Sequence, residues 1–318
     1  MNSRYRLHIL IIRLSALGDV AILQPVLRQR AQENPDVLFS LAGPPLLAPL
    51  FACIDNIHYI PMQRKQTPRE IYNQLEPLMP GMVADMHHVL RTIGVSWLFR
   101  MDGVPVRSIR KRWPRSRPSW QRYDDVLRRC GLKGEALPAD DYFRPRPSDD
   151  GLVRIGIAPF AQHRGKCYPL ELMEQVVEKL TQDPAVRILL FGSRDEASQL
   201  QPWVERYPHV ENHAGKHSFG EELHLMSTLS VMVSMDSSNM HFASCMGIPV
   251  VSVWGATHPC RGFYGWRQDP ANAVQLDMPC RPCSKYGKKP CRYGDYRCMT
   301  QIRPGEIVGR IKSLITNH

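Results

Sequence analysis

Three short stretches put residues suited to phosphate or ribose chemistry at the point where a helix begins. In VSMDSSNMHFASCMGIPVVSVWG an apolar run ends at Met235, and Asp236, Ser237 and Ser238 then open a helix that carries His241. The first N–H groups of a helix lack internal partners and its dipole favours an anion there. Small hydroxyl residues leave room for a phosphate and add donors to it. An ordinary N-cap uses the same residue types. The loop PFAQHRGKCYP brings His163, Arg164, Gly165 and Lys166 just ahead of a helix start at Tyr168–Pro169. Lys166 suits a diphosphate as a point charge, and a plain surface lysine is the other reading. In FGSRDEASQL, Glu196 stands beyond a strand end, where a carboxylate can accept from ribose hydroxyls or simply favour a first helical turn. Neither a Walker A pattern nor G-x-G-x-x-G occurs, which argues against a P-loop NTPase and a typical dehydrogenase.

A fourth stretch is different in sign. RLSALGDV follows the apolar run LHILII and reads as strand, glycine-bearing turn and helix, yet it carries Asp19. A turn that cradled phosphate would avoid a negative charge. Its structural use would be an N-cap; its chemical use would be that of a base. Near the other end, Cys280, Cys283, Cys291 and Cys298 lie in one Gly/Lys/Arg-rich loop. That spacing suits tetrahedral thiolate coordination, with zinc the preferred metal, and packed reduced cysteines are the alternative. Four thiolates would fill the coordination sphere, making such a site structural.

The elements that must position these residues follow one grammar. HILIIR, VLFSLAG, IHYIPM, GMVADMHH and VPVRSI read as strands buried on both faces, separated by helix-like stretches such as VAILQPVLRQRAQENP. A polar, proline-rich segment at 137–150 reads as a linker. LVRIGIAPF, VRILLFGS, VMVSM and PVVSVWGA then repeat the strand pattern, again alternating with helices. The expected fold class is α/β: two Rossmann-like domains, 1–148 and 149–318, with parallel sheets facing a central cleft. The second would include a Cys-rich loop (280–298) and a C-terminal helix. Ligands in such sheets bind beyond the carboxyl ends of the strands, where Lys166, Glu196 and Asp236–Ser238 all fall.

The 318 residues carry a formal net charge of +11, which favours an anionic partner. Much of the excess sits in the segment RMDGVPVRSIRKRWPRSRPSWQR, which contains Arg110, Lys111 and Arg112. It reads either as a solvated basic loop or as a partly aromatic surface for an anionic, membrane-borne acceptor. No apolar run reaches the roughly 20 residues of a membrane helix. The N-terminal apolar segment is short and interrupted by Arg13, so it reads as a first strand rather than a signal peptide, and a cytoplasmic protein is expected. Nothing matches a nucleic-acid-binding motif.

Taken in order, these stretches resemble the heptosyltransferases of glycosyltransferase family 9. DSSNMHFASCMGIPVVSVWGATHP is similar to that family's Asp-(Ser/Thr)-Gly-Pro-x-His hallmark and the strand after it; RLSALGDV is similar to its SxLGD motif, HRGKCYP to Lys-x-Trp-Pro, and the C-terminal cysteine segment to a tail found in many members. The resemblance implies a GT-B fold, with the acceptor on the N-terminal domain and the nucleotide sugar on the C-terminal one. It implies inverting, metal-independent transfer, in characterised members from ADP-heptose to a lipopolysaccharide core at the cytoplasmic face of the inner membrane. By this resemblance Asp19 matches the general base, Lys166, Ser237 and Ser238 the diphosphate contacts, and Glu196 a ribose contact. Asp236 and His241 match hallmark positions near the donor. Arg110, Lys111 and Arg112 would meet the anionic acceptor. Two departures stand out: Ser238–Asn239 replaces Gly-Pro, and Tyr168 replaces Trp. The helix start keeps its small residues, so phosphate binding should survive, while the sugar carried by the donor transfers less safely. An epimerase-like or non-catalytic relative binding another nucleotide sugar is the alternative.

Overall fold

In the computed structural model, which describes residues 5–110, 117–134, 142–145 and 150–316, the apolar runs become two parallel sheets. The chain divides into one unit at Met1–Pro138 and a second at Ala139–His318. The expected break between 148 and 149 lies outside the described residues.

The first unit runs β1 (Leu7–Ile12), α1 (Leu17–Glu33), β2 (Val37–Gly43), β3 (Ile57–Pro61), α2 (Pro68–Leu75), β4 (Met82–Asp85), α3 (Leu90–Met101), β5 (Val106–Ser108) and α4 (Ser119–Arg129). Its strands pair in the order β3-β2-β1-β4-β5, all parallel. Ile9, Leu10, Ile11 and Ile12 are wholly buried, which is why β1 shows no polar alternation: helices cover both faces. Val20, Leu23, Leu27 and Ala31 of α1 recur at three- and four-residue intervals and bury that helix against the sheet. Buried Arg30 of α1 reaches across to Asp124 of α4 and to the backbone carbonyl of Lys133, tying the two helices together.

The second unit runs β6 (Val153–Ala158), α5 (Leu170–Leu180), β7 (Val186–Leu190), α6 (Ala197–Arg206), β8 (Val210–Asn212), α7 (Phe219–Ser227), β9 (Val231–Met235), α8 (Ser238–Cys245), β10 (Val250–Trp254), β11 (Ala273–Gln275), α9 (Arg297–Thr300) and α10 (Pro304–Ile315). The sheet order is β11-β10-β9-β6-β7-β8, again parallel throughout. α10 packs on α5, and buried Tyr168 donates its hydroxyl to the Ile302 carbonyl at 2.8 Å. The edge strands β8 and β11 have three residues each, too few to show a pattern in the sequence. No helix among the described residues is long and apolar enough to cross a membrane.

Candidate functional site

In each sheet, chain connections leave in opposite directions on either side of one strand pair, opening a crevice at its carboxyl end. In the first unit that pair is β1 and β4. The residues just beyond them meet. Arg13 is buried; one guanidinium nitrogen lies 2.6 Å from Asp19 Oδ2 and the other donates to the Met86 carbonyl at 2.8 Å. Tyr123 of α4 donates its hydroxyl to Asp19 Oδ1 at 3.1 Å, and its ring lies 5.7 Å from the Arg13 guanidinium carbon. Asp19 therefore has a fixed carboxylate, about a quarter exposed, whose charge is met by an arginine six residues earlier. It is not an N-cap. Ala16 occupies that position and makes no side-chain capping bond.

The turn after β4 is shaped by Asp85, which has no exposed surface. Its Oδ1 accepts the N–H groups of His87 (3.0 Å) and His88 (2.8 Å), and its Oδ2 accepts the Ser96 hydroxyl at 3.2 Å. His87 Nε2 lies 3.2 Å from Ser15 Oγ. Burial, reinforced by the Arg13 charge, pushes the His87 pKa down to about 4, so this imidazole is neutral at physiological pH. Burial first, and Asp19 second, raises the Tyr123 phenol, which stays a donor to Asp19. For Arg13, burial opposes the charge, but Tyr123 and Asp19 outweigh it and leave the pKa raised.

In the second unit the crevice lies between β6 and β9. Lys166, from the turn after β6, places Nζ 2.8 Å from Asp236 Oδ2 and 3.1 Å from the Asp236 carbonyl, just after β9. Asp236 Oδ2 also accepts the Thr257 hydroxyl at 2.7 Å. A lysine ammonium has three N–H donors, so two are committed and no described residue takes the third. Ser237 stands at the N-cap position of α8, but its hydroxyl lies 3.2 Å from Ser234 Oγ and caps nothing. Ser238 is the first helical residue, and His241 is buried one turn along. Glu196, half-buried, accepts the Ser193 N–H at 2.7 Å and so braces its own turn after β7.

The Cys-rich loop touches this site through glycine rather than sulfur. Gly287 has φ +78°, and a Cβ there would lie 2.8 Å from Lys166 Cγ. A Cβ on Gly165 would lie 2.8 Å from Ala256 Cβ, and the Gly165 carbonyl accepts the Ala256 N–H at 2.8 Å. The Arg164 guanidinium sits 4.8 Å from the Tyr296 ring centroid. The four thiols are close enough to influence one another: burial raises Cys283 and Cys298, and each is raised further by neighbouring cysteines. They do not converge as ligands. Among the described residues no three His, Cys, Asp or Glu side chains form a group that could hold a metal ion. Cys283 Sγ lies 3.8 Å from the Ala256 carbonyl oxygen and Cys291 Sγ 3.9 Å from Asp295 Oδ1. Of the expected acceptor residues, Arg110 is exposed and 3.5 Å from Asp125, while Lys111 and Arg112 lie outside the described residues.

The model of Glycosyltransferase family 9 (heptosyltransferase) matches residues 62–294, well over half of the chain. This chain belongs to that family. It is similar to lipooligosaccharide heptosyltransferase 2 of Campylobacter jejuni, 24% identical over 135 residues, which are 41% of this chain and 41% of that protein. It thus spans about two fifths of the length of the curated relatives it matches. Among solved structures it is similar to a family 9 glycosyl transferase from Veillonella parvula (18% identity, 99% and 98% of the two chains, TM-score 0.78). It is likewise similar to the Escherichia coli ADP-heptose lps heptosyltransferase II (17% identity, 98% and 99%, TM-score 0.73). At these identities the structural likeness speaks for the fold: two parallel α/β units of the GT-B type.

Several residues of these two crevices were not singled out by the sequence as site residues. Arg13 left one signal, a lone cation at the end of an apolar strand. Tyr123 and Thr257 left none, because their contacts to Asp19 and Asp236 span 104 and 21 residues. Gly287 and the Asp85–His87 turn are likewise functions of three-dimensional packing.

Proposed function

We propose that this protein is a glycosyltransferase that moves a sugar from a nucleotide-diphosphate donor, ADP-heptose, to a lipopolysaccharide-core acceptor with inversion at the anomeric carbon. The observation that carries the reading is the Lys166–Asp236 pair beside the uncapped start of α8, at the β6/β9 crevice. An uncommitted ammonium N–H and the amides at a helix start are both suited to a diphosphate. The acceptor hydroxyl would attack the anomeric carbon while the bond from that carbon to the diphosphate oxygen breaks. Asp19, held by Arg13 and Tyr123, takes the hydroxyl proton. Lys166 and the α8 amides, with Ser237 and Ser238, stabilise the charge that develops on departing ADP. His241 would support that helix from within, and Glu196 would offer its remaining carboxylate oxygen to the ribose. The names of the relatives support both heptose as the sugar and a lipopolysaccharide or lipooligosaccharide as the acceptor.

A thermal-shift panel of ADP, UDP, GDP, CMP and NAD on wild type and Lys166→Ala tests the reading. A ligand at a hundred times its Kd stabilises the folded state by about 2.7 kcal/mol. Selective stabilisation by ADP, lost in the variant, is the expected result. Preference for UDP or GDP would replace the donor, and silence towards every nucleotide would overturn the enzyme in favour of a non-catalytic relative.

A further inference from the structure

Helix α3 shows solvent an apolar stripe that its own fold does not use. Leu90 is 90% exposed, Trp97 58% and Met101 65%, with Val89 at 40% just before the helix. At about 100° per residue, Leu90, Trp97 and Met101 fall within roughly 40° of one another on the helix surface. The opposite face, Thr92, Val95, Ser96 and Phe99, is buried against the unit. Single exposed apolar residues are ordinary, but an aligned set of large ones marks a contact surface.

The chemistry around the stripe says what the contact is. Gly94 lies on the same side of α3, and a Cβ there would sit 3.0 Å from Pro68, so the start of α2 packs alongside. That start brings Arg64, Lys65 and Arg69, all exposed, and Arg91 of α3 donates to the Arg64 carbonyl. Arg100 is exposed near the far end. Among the described residues none of these five cations is in an ion pair. The nearby acids are turned elsewhere: Glu70 accepts from the Thr67 N–H and hydroxyl, and Asp102 from the Tyr72 hydroxyl. An apolar stripe with tryptophan in it and a border of arginine and lysine matches a bilayer interface carrying anionic headgroups. A second copy of the chain would set these cations against their own duplicates across a twofold axis, which is unfavourable.

We propose that α3 seats the first unit on an anionic lipid bilayer. Leu90, Trp97 and Met101 enter the boundary between headgroups and acyl chains, and Arg64, Lys65, Arg69, Arg91 and Arg100 meet lipid phosphates. The N-terminal end of α3 directly follows His87 and His88, and His87 contacts Ser15 beside Arg13 and Asp19. Docking there brings the Asp19 end of the unit to the surface on which a lipid-borne acceptor would be presented. The choice of bilayer draws on that reading of the acceptor; the surface itself does not.

The test is flotation of the full chain with vesicles of phosphatidylcholine containing 30% phosphatidylglycerol, compared with pure phosphatidylcholine. Wild type should float with the anionic vesicles and release as salt rises. Leu90→Glu with Trp97→Glu should lower the bound fraction at least tenfold. Arg64→Glu with Lys65→Glu should abolish the preference for phosphatidylglycerol, each cation near such a surface being worth about fivefold. Unchanged melting temperatures show that the variants fold, and Leu90→Gln with Trp97→Gln serves if the acidic pair does not. Wild type that ignores anionic vesicles overturns the proposal, as do variants that bind as well as wild type. A dimer in sedimentation that Leu90→Glu with Trp97→Glu dissociates, without vesicle binding, would assign the face to self-association instead. ADP stabilisation, read in parallel, reports the donor site, so failure of docking and failure of the transferase reading are separable.

Discussion

The contact between Gly287 and Lys166 can be tested against an internal control. Gly287 and Gly294 lie in the same loop with φ +78° and +79°, but a Cβ on Gly294 meets nothing within 4 Å, whereas one on Gly287 lies 2.8 Å from Lys166 Cγ and 3.2 Å from its Cδ and Cε. Alanine at either position takes on the left-handed penalty of about 1–2 kcal/mol, partly offset by about 0.4–1 kcal/mol from a less flexible unfolded chain. Gly294→Ala should therefore lower stability by about 1 kcal/mol and do nothing else. Gly287→Ala adds a methyl where carbon atoms prefer roughly 3.5–4.0 Å, so the lysine stem must move by about 1 Å. The ammonium starts 2.8 Å and 3.1 Å from its two Asp236 acceptors and cannot keep both. Its aim at the diphosphate goes with them.

One hydrogen bond to a charged group is worth about 1.5–3 kcal/mol, or on the order of 10- to 150-fold in Kd. Titration calorimetry with ADP at fixed salt reads this directly. The expected order is wild type equal to Gly294→Ala, with Gly287→Ala weaker by at least tenfold. Gly287→Ala within twofold of wild type would refute the idea that the Cys-rich loop positions Lys166. Equal losses in both variants would trace the effect to loop backbone rather than to the contact.

Other outcomes follow from the same geometry. Asp19→Asn keeps one oxygen for Arg13, turns an amide N–H towards the Tyr123 hydroxyl and cannot take a proton, so transfer should fall by about 10²–10⁴-fold with ADP affinity unchanged, measured by steady-state kinetics and titration. The same variant leaves buried Arg13 without its anion and should lose on the order of 1–3 kcal/mol in urea unfolding. Because the His87 pKa is about 4 in the folded chain and higher when unfolded, its contribution to stability is complete above about pH 6.5 and is lost as pH falls towards 4. The urea midpoint of wild type should fall more steeply across that window than that of His87→Gln; parallel curves would contradict the cause assigned to the shift. Asp236→Asn retains the backbone and side-chain oxygens that aim Lys166 and removes a charge that repels phosphate, so ADP should bind at least as tightly as to wild type, whereas Asp236→Ala should bind more weakly. Equal weakening by both would mean that the carboxylate charge itself is needed.

How much of this was legible depends on how far each contact reaches along the chain. β1, β6, β9 and β10 are predominantly apolar runs, each broken by a single polar residue (His8, Arg154, Ser234 and Ser252), and a parallel order follows because helices alternate with them. The edge strands β8 and β11 carry too few residues to register a period. Lys166 and Asp236–Ser238 stand out because each directly follows a strand end. Their union does not, since 70 residues separate the lysine from its acid. Arg13 and Asp19 are only one and a half helical turns apart in sequence, yet a strand end lies between the β1 core and the first turn of α1, so only the folded chain shows that the arginine turns back on the aspartate. The cysteine spacing suggested coordination, but nothing in it showed that Gly287, between those cysteines, is the residue that meets Lys166.

The two crevices use the same pair of charges in opposite roles. On the proposed reading the acid is the reactive end in the first unit: Asp19 retains partial exposure, while Arg13, more deeply buried, holds one oxygen and anchors itself on the Met86 carbonyl. In the second unit the same reading makes the cation the working end: Lys166 keeps one N–H uncommitted, while Asp236, the more buried partner, is itself fixed by Thr257. An isolated lysine has four rotatable bonds and would have to be ordered when the diphosphate arrives; bound to Asp236 it is ordered beforehand. The cost is that the pair carries no net charge, so Lys166 alone cannot neutralise a diphosphate. On the proposed reading the remaining charge falls to the amides at the start of α8, and the Ser237 hydroxyl, turned to Ser234 instead of capping the helix, then matters as much as the lysine does.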